Sequence, residues 1–108
     1  MVYTQAEVLQ IVAQHRTELA AFGVVRLGLF GSFARNEQTE ESDIDFLAEY
    51  QVGAKNLRNI THPAYLLQEW LGRTVDYLTK IPENPYFKES LAHGIIYVEI
   101  APDAIAAH

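Results

Sequence analysis

The sequence predicts a small α/β (α+β) fold in which a mixed β-sheet of about four strands is flanked by helices. Four short segments, at 24–30, 43–50, 74–80 and 95–100, are apolar or alternate between apolar and polar residues, as strands do. Segments with helical spacing of apolar residues separate them. The chain of 108 residues is 49% hydrophobic and 20% charged, which suits one hydrophobic core. We therefore expect a single domain over residues 1–108.

The first predicted helix precedes the first strand and has clear ends. Thr4 and Glu7 fit a capping box, and Gly23 is placed to end the helix. His15 lies on its apolar stripe, where a packed or half-exposed histidine is commoner than a functional one, so we assign it no chemistry. The whole stripe consists of Val8, Ile11, Val12, His15, Leu19 and Phe22.

Two further helices are expected between the later strands. Thr61 fits an N-cap, Pro63 suits a first turn, and Gly72 is placed to end the first of these helices. Its apolar stripe consists of Leu66, Leu67, Trp70 and Leu71. A shorter helix is expected at 86–92, and the tail that ends at His108 is expected to be frayed.

Charge and composition exclude several classes of function. The net charge of −6 argues against a surface that binds nucleic acid directly, because such binding needs clustered lysine and arginine. A nucleotide can still be a substrate if cations lie between the protein and the phosphates. There is no cysteine, so thiolate metal sites and disulfides are excluded. No membrane-spanning run or secretion signal is visible, so a cytoplasmic location is the default.

Asp43 and Asp45 are candidate metal ligands. Residues two apart on a strand point to the same side, roughly 6.5–7 Å apart, so the two carboxylates could share or flank cations. Hard oxygen ligands favour Mg²⁺, and two-metal phosphoryl-transfer sites have this scale. The alternative is a solvated strand face, which is commoner for so short a pattern. An EF-hand is excluded, because Leu47 stands where a ligand is needed and the required glycine is absent.

Gly31 and Ser32 follow an apolar strand and are candidate phosphate-binding residues. Glycine lets backbone N–H groups approach a phosphate, and the serine hydroxyl can donate a further hydrogen bond. Arg35 could reach a phosphate oxygen, but a surface ion pair with Glu37 or Glu40 is an equally good interpretation. A simple strand-to-helix turn is the alternative for the glycine–serine pair. The chain contains no P-loop and no G-x-G-x-x-G motif.

The combination is more specific than its parts. Gly31-Ser32 is followed by ten residues and then by Asp43-x-Asp45, and Asp76 adds a third carboxylate on a later strand. The segment "RLGLFGSFARNEQTEESDIDFLAEY" resembles the signature of the minimal nucleotidyltransferases, a branch of the DNA polymerase β-like superfamily. The segments "LLQEWLGRTVDYLT" and "FKESLAHGIIYVEI" are similar to later parts of that family. One departure is Asn36, where the family usually has glycine; asparagine tolerates left-handed backbone, so we expect the turn to be kept.

This resemblance implies the polymerase β-like fold and a nucleotidyltransferase that uses ATP and two Mg²⁺ ions. It implies that Asp43, Asp45 and Asp76 bind metal, that Asp76 is a candidate general base, and that Gly31 and Ser32 hold phosphates. Family members are typically antitoxins paired with an RNase toxin of the HEPN-domain class. The resemblance therefore also implies a hetero-oligomer with such a toxin, and transfer of AMP to a tyrosine hydroxyl of the toxin.

Two other functions are left open. The first is nucleotidylation of a small molecule, although such enzymes usually have an added domain for the acceptor. The second is a non-catalytic antitoxin that blocks its partner by contact, with the acidic loop of Glu37, Glu40 and Glu41 against a basic surface. Exposed aromatic residues could contribute to that interface, although aromatic residues at these spacings are more often in the core. The aromatic candidates are Tyr65, Trp70, Tyr86 and Phe87.

Overall fold

The computed structural model describes residues 1–103 and contains one four-stranded mixed sheet with helices. Residues 104–108 of the predicted frayed tail lie outside the described residues. In chain order the elements are α1 (Gln5–Gln14), α2 (Arg16–Ala21), β1 (Val24–Phe30), α3 (Gly31–Ala34), β2 (Ile44–Tyr50), α4 (Leu57–Leu71), β3 (Val75–Leu78), α5 (Pro85–Ala92) and β4 (Ile96–Glu99). The predicted α/β class with a small mixed sheet is confirmed, although three of the strands are shorter than expected.

The order of the strands in the sheet is β3-β2-β1-β4. Strand β1 pairs antiparallel with β2 and β4, while β3 runs parallel to β2. The carboxyl end of β1 therefore lies beside the amino ends of β2 and β3. This edge of the sheet is where the sequence places its glycine–serine pair and its aspartates.

The two faces of the sheet differ in what they contact. One face carries aliphatic and aromatic side chains that pack with α1, α2 and α4 into the hydrophobic core. Fully buried members of this cluster include Leu27, Leu29, Ile44, Phe46, Ala48, Tyr50, Val8, Val12, Leu19, Leu67 and Leu71. The opposite face carries Phe30 and Asp45, which are directly paired across β1 and β2 and so point to the same side.

The first predicted helix is interrupted. The capping box of Thr4 and Glu7 is present, but α1 ends at Gln14 and α2 begins at Arg16. His15 lies at the interruption, and its ring stacks on Trp70 of α4 with ring centroids 3.8 Å apart. The expectation of one continuous helix was therefore wrong. A tertiary contact holds the ring of His15 at the interruption, and helical periodicity does not register such contacts.

The start of α4 also differs from the prediction. Thr61 is not its N-cap and Pro63 is not in its first turn, because the helix begins at Leu57 with Asn56 as the N-cap. Proline has no N–H to donate to the carbonyl of Asn59, four residues before it. The hydroxyl of Tyr50 donates to that carbonyl instead. A buried side chain from β2 thus satisfies the acceptor that the proline leaves free.

The other predicted helix ends are close to those observed. Gly72 ends α4 in the left-handed conformation. Helix α5 has Asn84 as its N-cap and Pro85 in its first turn. Within residues 1–103, none of the helices combines the length and the apolar character needed to span a bilayer.

Candidate active site

Asp45 and Asp76 lie side by side on neighbouring parallel strands. They are register partners between β2 and β3, and their side chains share a hydrogen bond. Both therefore belong to the sheet face that carries Phe30, opposite the hydrophobic core. Parallel pairing brings together two carboxylates that are separated by 31 positions in the sequence. Of the two aspartates in the D-x-D motif, Asp45 is the one that lies beside Asp76.

Asp45 is the buried member of this pair, with 8% of its surface exposed, whereas Asp76 is half-buried. The pKa of Asp45 is raised from its ordinary value of 3.8 to about 7, and burial is the largest cause. The hydrogen bond to Asp76 and the negative charges of Asp76 and Asp43 contribute to the same rise, while the positive charge of Arg35 opposes it. At neutral pH and without a cation, Asp45 therefore holds a proton in a substantial fraction of molecules.

Asp43 is placed differently from the other two aspartates. It is exposed and lies one residue before β2 begins, so the predicted strand start at Asp43 was one residue early. Among residues 1–103, no three histidine, aspartate or glutamate side chains come close enough together to hold one metal ion. Asp43 is near enough to influence the pKa of Asp45 but does not complete a three-carboxylate cluster. Its role as a third metal ligand stays a prediction.

The pair of Asp45 and Asp76 has the donor chemistry that suits a divalent cation such as Mg²⁺. Both groups offer carboxylate oxygens, the ligands that hard cations prefer. Burial is the largest cause of the raised pKa of Asp45, and repulsion by the negative charges of Asp76 and Asp43 adds to it. A cation would relieve that repulsion, so the residues present fit the metal that the sequence predicts.

Gly31 lies directly against the carboxylate of Asp45. It has a φ of +75°, a left-handed conformation that favours glycine. A β-carbon at this position would lie 2.1 Å from Oδ2 of Asp45, far inside van der Waals contact. Only glycine fits here, because the carboxylate of Asp45 occupies the space that a side chain at position 31 would need. The two ends of the predicted motif are therefore in contact through Gly31 and Asp45.

Ser32 and Arg35 extend from the same turn. Ser32 is half-buried in α3, directly after Gly31. Arg35 donates to Glu37 over 3.2 Å, the surface ion pair that the sequence offered as one interpretation. Its charge also acts on Asp45, so it lies close to the site as well. A phosphate-binding role for Ser32 and Arg35 stays a prediction.

The turn after α3 keeps its shape without the family's usual glycine. Asn36 has a φ of +57°, so it adopts the left-handed conformation expected of it. The N–H of Glu37 donates to the carbonyl of Ser32 over 2.9 Å, which closes the turn. The prediction that asparagine maintains this turn is confirmed.

Sequence reasoning missed Arg73, which supports the loop leading to Asp43. Arg73 has 9% of its surface exposed and donates through Nε to the carbonyl of Val2 over 2.7 Å. Its Nη1 lies 2.9–3.3 Å from three carbonyl oxygens of the loop, those of Thr39, Glu40 and Ser42. Its position three residues before Asp76 was visible in the sequence, but the acceptors lie 31 or more positions away along the chain.

The start of α1 and the residues before it support the other end of the motif. Gln5 donates through Nε2 to the carbonyls of Phe33 and Ala34 over 3.1 and 2.9 Å, which ties α1 to α3. Gln38 donates through Nε2 to the carbonyl of Tyr3 over 3.1 Å. Nothing in the local sequence pattern indicated that these residues brace the site. Side chains far apart in sequence therefore hold both ends of the predicted motif.

Comparison with known proteins agrees with this geometry. The family model for a nucleotidyltransferase domain matches residues 9–98. A Methanocaldococcus jannaschii protein, provisionally named a protein adenylyltransferase, is 40% identical over 97 residues, which cover 88% of this chain and 98% of that protein. A Thermococcus cleftensis protein named protein adenylyltransferase MntA is 32% identical over 96 residues, which cover 88% of this chain and 96% of that protein.

A solved structure supports the same assignment. It is provisionally described as a minimal nucleotidyltransferase, and it matches with a TM-score of 0.60 and 29% sequence identity. The match covers 82% of this chain and 93% of the other. Fold, motif and relatives therefore agree, and the chain belongs to the nucleotidyltransferase-domain family, within it to the minimal nucleotidyltransferases.

Proposed function

We propose that this nucleotidyltransferase is a protein adenylyltransferase that moves AMP from ATP to a tyrosine hydroxyl of a partner protein. The proposed partner is an RNase toxin of the HEPN-domain class, which forms a hetero-oligomer with this chain and loses its activity when modified. The names of the archaeal relatives support protein adenylylation. The single observation that supports catalysis is the close approach of Gly31 to Asp45, the carboxylate that is paired with Asp76 on the neighbouring strand.

In the proposed reaction, the acceptor oxygen forms a bond to the α-phosphorus of ATP. The bond from that phosphorus to the oxygen bridging to the β-phosphate breaks, and pyrophosphate leaves. The acceptor proton passes to a carboxylate, for which Asp76 is the proposed general base. Such a transfer depends on positioning and charge neutralisation more than on a covalent intermediate.

The residues of the chain have distinct proposed roles. Backbone N–H groups at Gly31 and the hydroxyl of Ser32 hold the β- and γ-phosphates, and Arg35 can exchange Glu37 for a phosphate oxygen. Asp45 and Asp76 hold Mg²⁺, and Asp43 is proposed to join them when the triphosphate is bound. When bound, Mg²⁺ neutralises phosphate charge and favours ionisation of the acceptor hydroxyl.

Intact-mass measurement tests the proposal. The protein is incubated with ATP, Mg²⁺ and the product of a neighbouring gene that encodes a HEPN-class protein. We expect the partner to gain the mass of one or more AMP groups, and its RNase activity to fall as the adduct accumulates. Asp45→Asn should abolish the adduct while the circular dichroism spectrum stays unchanged. Glu40→Gln, in the exposed loop between the two ends of the motif, is the matched control and should retain transfer.

The non-catalytic alternative makes a different prediction. A contact antitoxin would bind and inhibit its partner without any AMP adduct, with ATP or with another nucleoside triphosphate. Its binding would also be unchanged in the double variant Asp43→Asn, Asp45→Asn. That combination of results would contradict adenylylation and favour inhibition by contact.

A further inference from the structure

A groove lies between the turn that follows α3 and helix α5. Its lining residues are Arg35, Glu37, Tyr86, Glu89, Ser90 and His93. We propose that this groove binds the base of the nucleoside triphosphate and favours a base that carries an exocyclic amino group, such as adenine. The inference rests on the proposed function, because it names the part of the substrate that the candidate active site has not yet accounted for.

The position of α5 supports this assignment. Phe87 of α5 packs edge-on against Phe30 with ring centroids 6.3 Å apart. Phe30 is the residue before Gly31 and is the register partner of Asp45. Helix α5 therefore lies on the carboxylate face of the sheet. The groove along α5 is therefore on the sheet face at which a nucleotide with its phosphates at Gly31 would bind.

Tyr86 provides an aromatic surface in this groove. It is 65% exposed, yet its ring is oriented by an edge-on contact with Phe87, with centroids 5.3 Å apart and planes at 77°. Bases stack well on exposed aromatic rings, because both partners present flat apolar faces. An oriented and uncovered ring loses little conformational freedom when a base stacks on it.

Beside Arg35, whose proposed partner is a phosphate oxygen, the groove contains carboxylates that can accept hydrogen bonds from a base. Glu37 and Glu89 contribute carboxylates, of which Glu37 pairs with Arg35 at 3.2 Å and Glu89 lies 3.9 Å from Nε2 of His93. Carboxylates repel phosphate but accept hydrogen bonds from an amino group. Hypoxanthine has a carbonyl where adenine has its amino group, so a carboxylate acceptor distinguishes the two purines.

Equilibrium binding without any partner tests this inference separately from catalysis. The affinity for a non-hydrolysable ATP analogue with Mg²⁺ is measured by calorimetry for the wild type and three variants. Tyr86→Ala should weaken binding about 10-fold, as expected for loss of base stacking. Tyr86→Phe keeps the ring and should stay within about twofold of wild type. Tyr65→Ala is the matched control, because Tyr65 is 60% exposed on α4 and lines a different groove.

Base selectivity gives a second readout. Wild type should bind ATP more tightly than inosine triphosphate, and Glu89→Ala should reduce that preference about 10-fold. Unchanged affinity in Tyr86→Ala together with equal binding of the two triphosphates would overturn the inference about the groove. Failure of the proposed function appears differently, as ATP binding without AMP transfer to any partner. Absence of ATP binding by the wild type would overturn both.

Discussion

The two faces of β2 carry neighbouring buried side chains that have opposite consequences for stability. Phe46 points into the hydrophobic core with 1% of its surface exposed, and its neighbour Asp45 points to the other side with 8% exposed. Burial of the phenylalanine stabilises the fold, because apolar surface leaves water. Burial of the aspartate costs free energy, because its charged form is desolvated beside a second carboxylate.

The comparison shows where stability and function separate in this small protein. Burial on the core face stabilises the fold. Part of that stabilisation offsets the cost of burying Asp45 between Asp76 and Gly31 on the carboxylate face. A buried, repelling pair of carboxylates is unfavourable for an empty protein and favourable for one that binds a cation. The following predictions test this contrast, from the largest expected effect to the smallest.

Substitution of the two neighbours should change stability in different ways. Phe46→Ala should lower the free energy of unfolding by about 3–5 kcal/mol, because it leaves a cavity in the core. Asp45→Asn, one position away, should leave that free energy unchanged or raise it at pH 7.5 in EDTA. Urea denaturation followed by circular dichroism measures both. A clear loss of stability in Asp45→Asn would show that the carboxylate supports the fold itself.

The stability of the metal-free protein should depend on pH through Asp45. Its pKa is raised to about 7 in the folded state from 3.8, so its stabilising contribution is complete below pH 4 and is lost as pH rises through 7. With solvent access and coupling to Asp76 allowed for, the loss is on the order of 2–3 kcal/mol. Urea denaturation at a series of pH values in EDTA measures it.

Two controls sharpen this pH experiment. Asp45→Asn should flatten the stability profile between pH 4 and 7, because the titrating group is gone. Mg²⁺ should raise the melting temperature more at pH 8 than at pH 5, because it binds the ionised carboxylates. A profile of the same slope in wild type and variant would assign the pH dependence to other groups.

Arg73 should stabilise the loop at residues 39–42 more than it stabilises the sheet. Arg73→Met should lower the free energy of unfolding by about 2 kcal/mol, because buried hydrogen bonds to four carbonyls are lost. Amide hydrogen exchange should accelerate most at residues 39–42. The matched control is Arg58→Met on the exposed surface of α4, which should change stability by less than about 0.5 kcal/mol. Equal exchange in the two variants would contradict the role of Arg73.

The hydroxyl of Tyr50 should have a smaller effect on the free energy of unfolding, and the size of that effect should depend on Pro63. Tyr50→Phe should cost about 1 kcal/mol, because the carbonyl of Asn59 loses its donor opposite Pro63. In the background of Pro63→Ala the same substitution should cost less, since the alanine N–H can donate to that carbonyl. A double-mutant cycle in urea measures the coupling. A coupling energy of zero would mean that the hydroxyl does not replace the missing helical donor.

Much of the fold was predictable because its signals are local. The capping box of Thr4, the apolar run of β1 and the left-handed glycine after α4 each depend on a few consecutive residues. The interruption at His15 was not predictable, since its stacking partner Trp70 belongs to another helix. The predicted position of Pro63, in the first turn of its helix, was wrong for the same reason. A proline is tolerated inside α4 where Tyr50, from β2, donates to the carbonyl left free.

The sequence by itself determined the chemistry available at the site. The spacing of Gly31-Ser32 and Asp43-x-Asp45, with Asp76 later and with the surrounding sequence, was sufficient to show a resemblance to the minimal nucleotidyltransferases. The tertiary structure decided which carboxylate is buried, that Asp45 rather than Asp43 pairs with Asp76, and that Gly31 lies against Asp45. The physical reason is range, because sequence patterns report neighbours along the chain, whereas burial and strand register depend on contacts between distant segments.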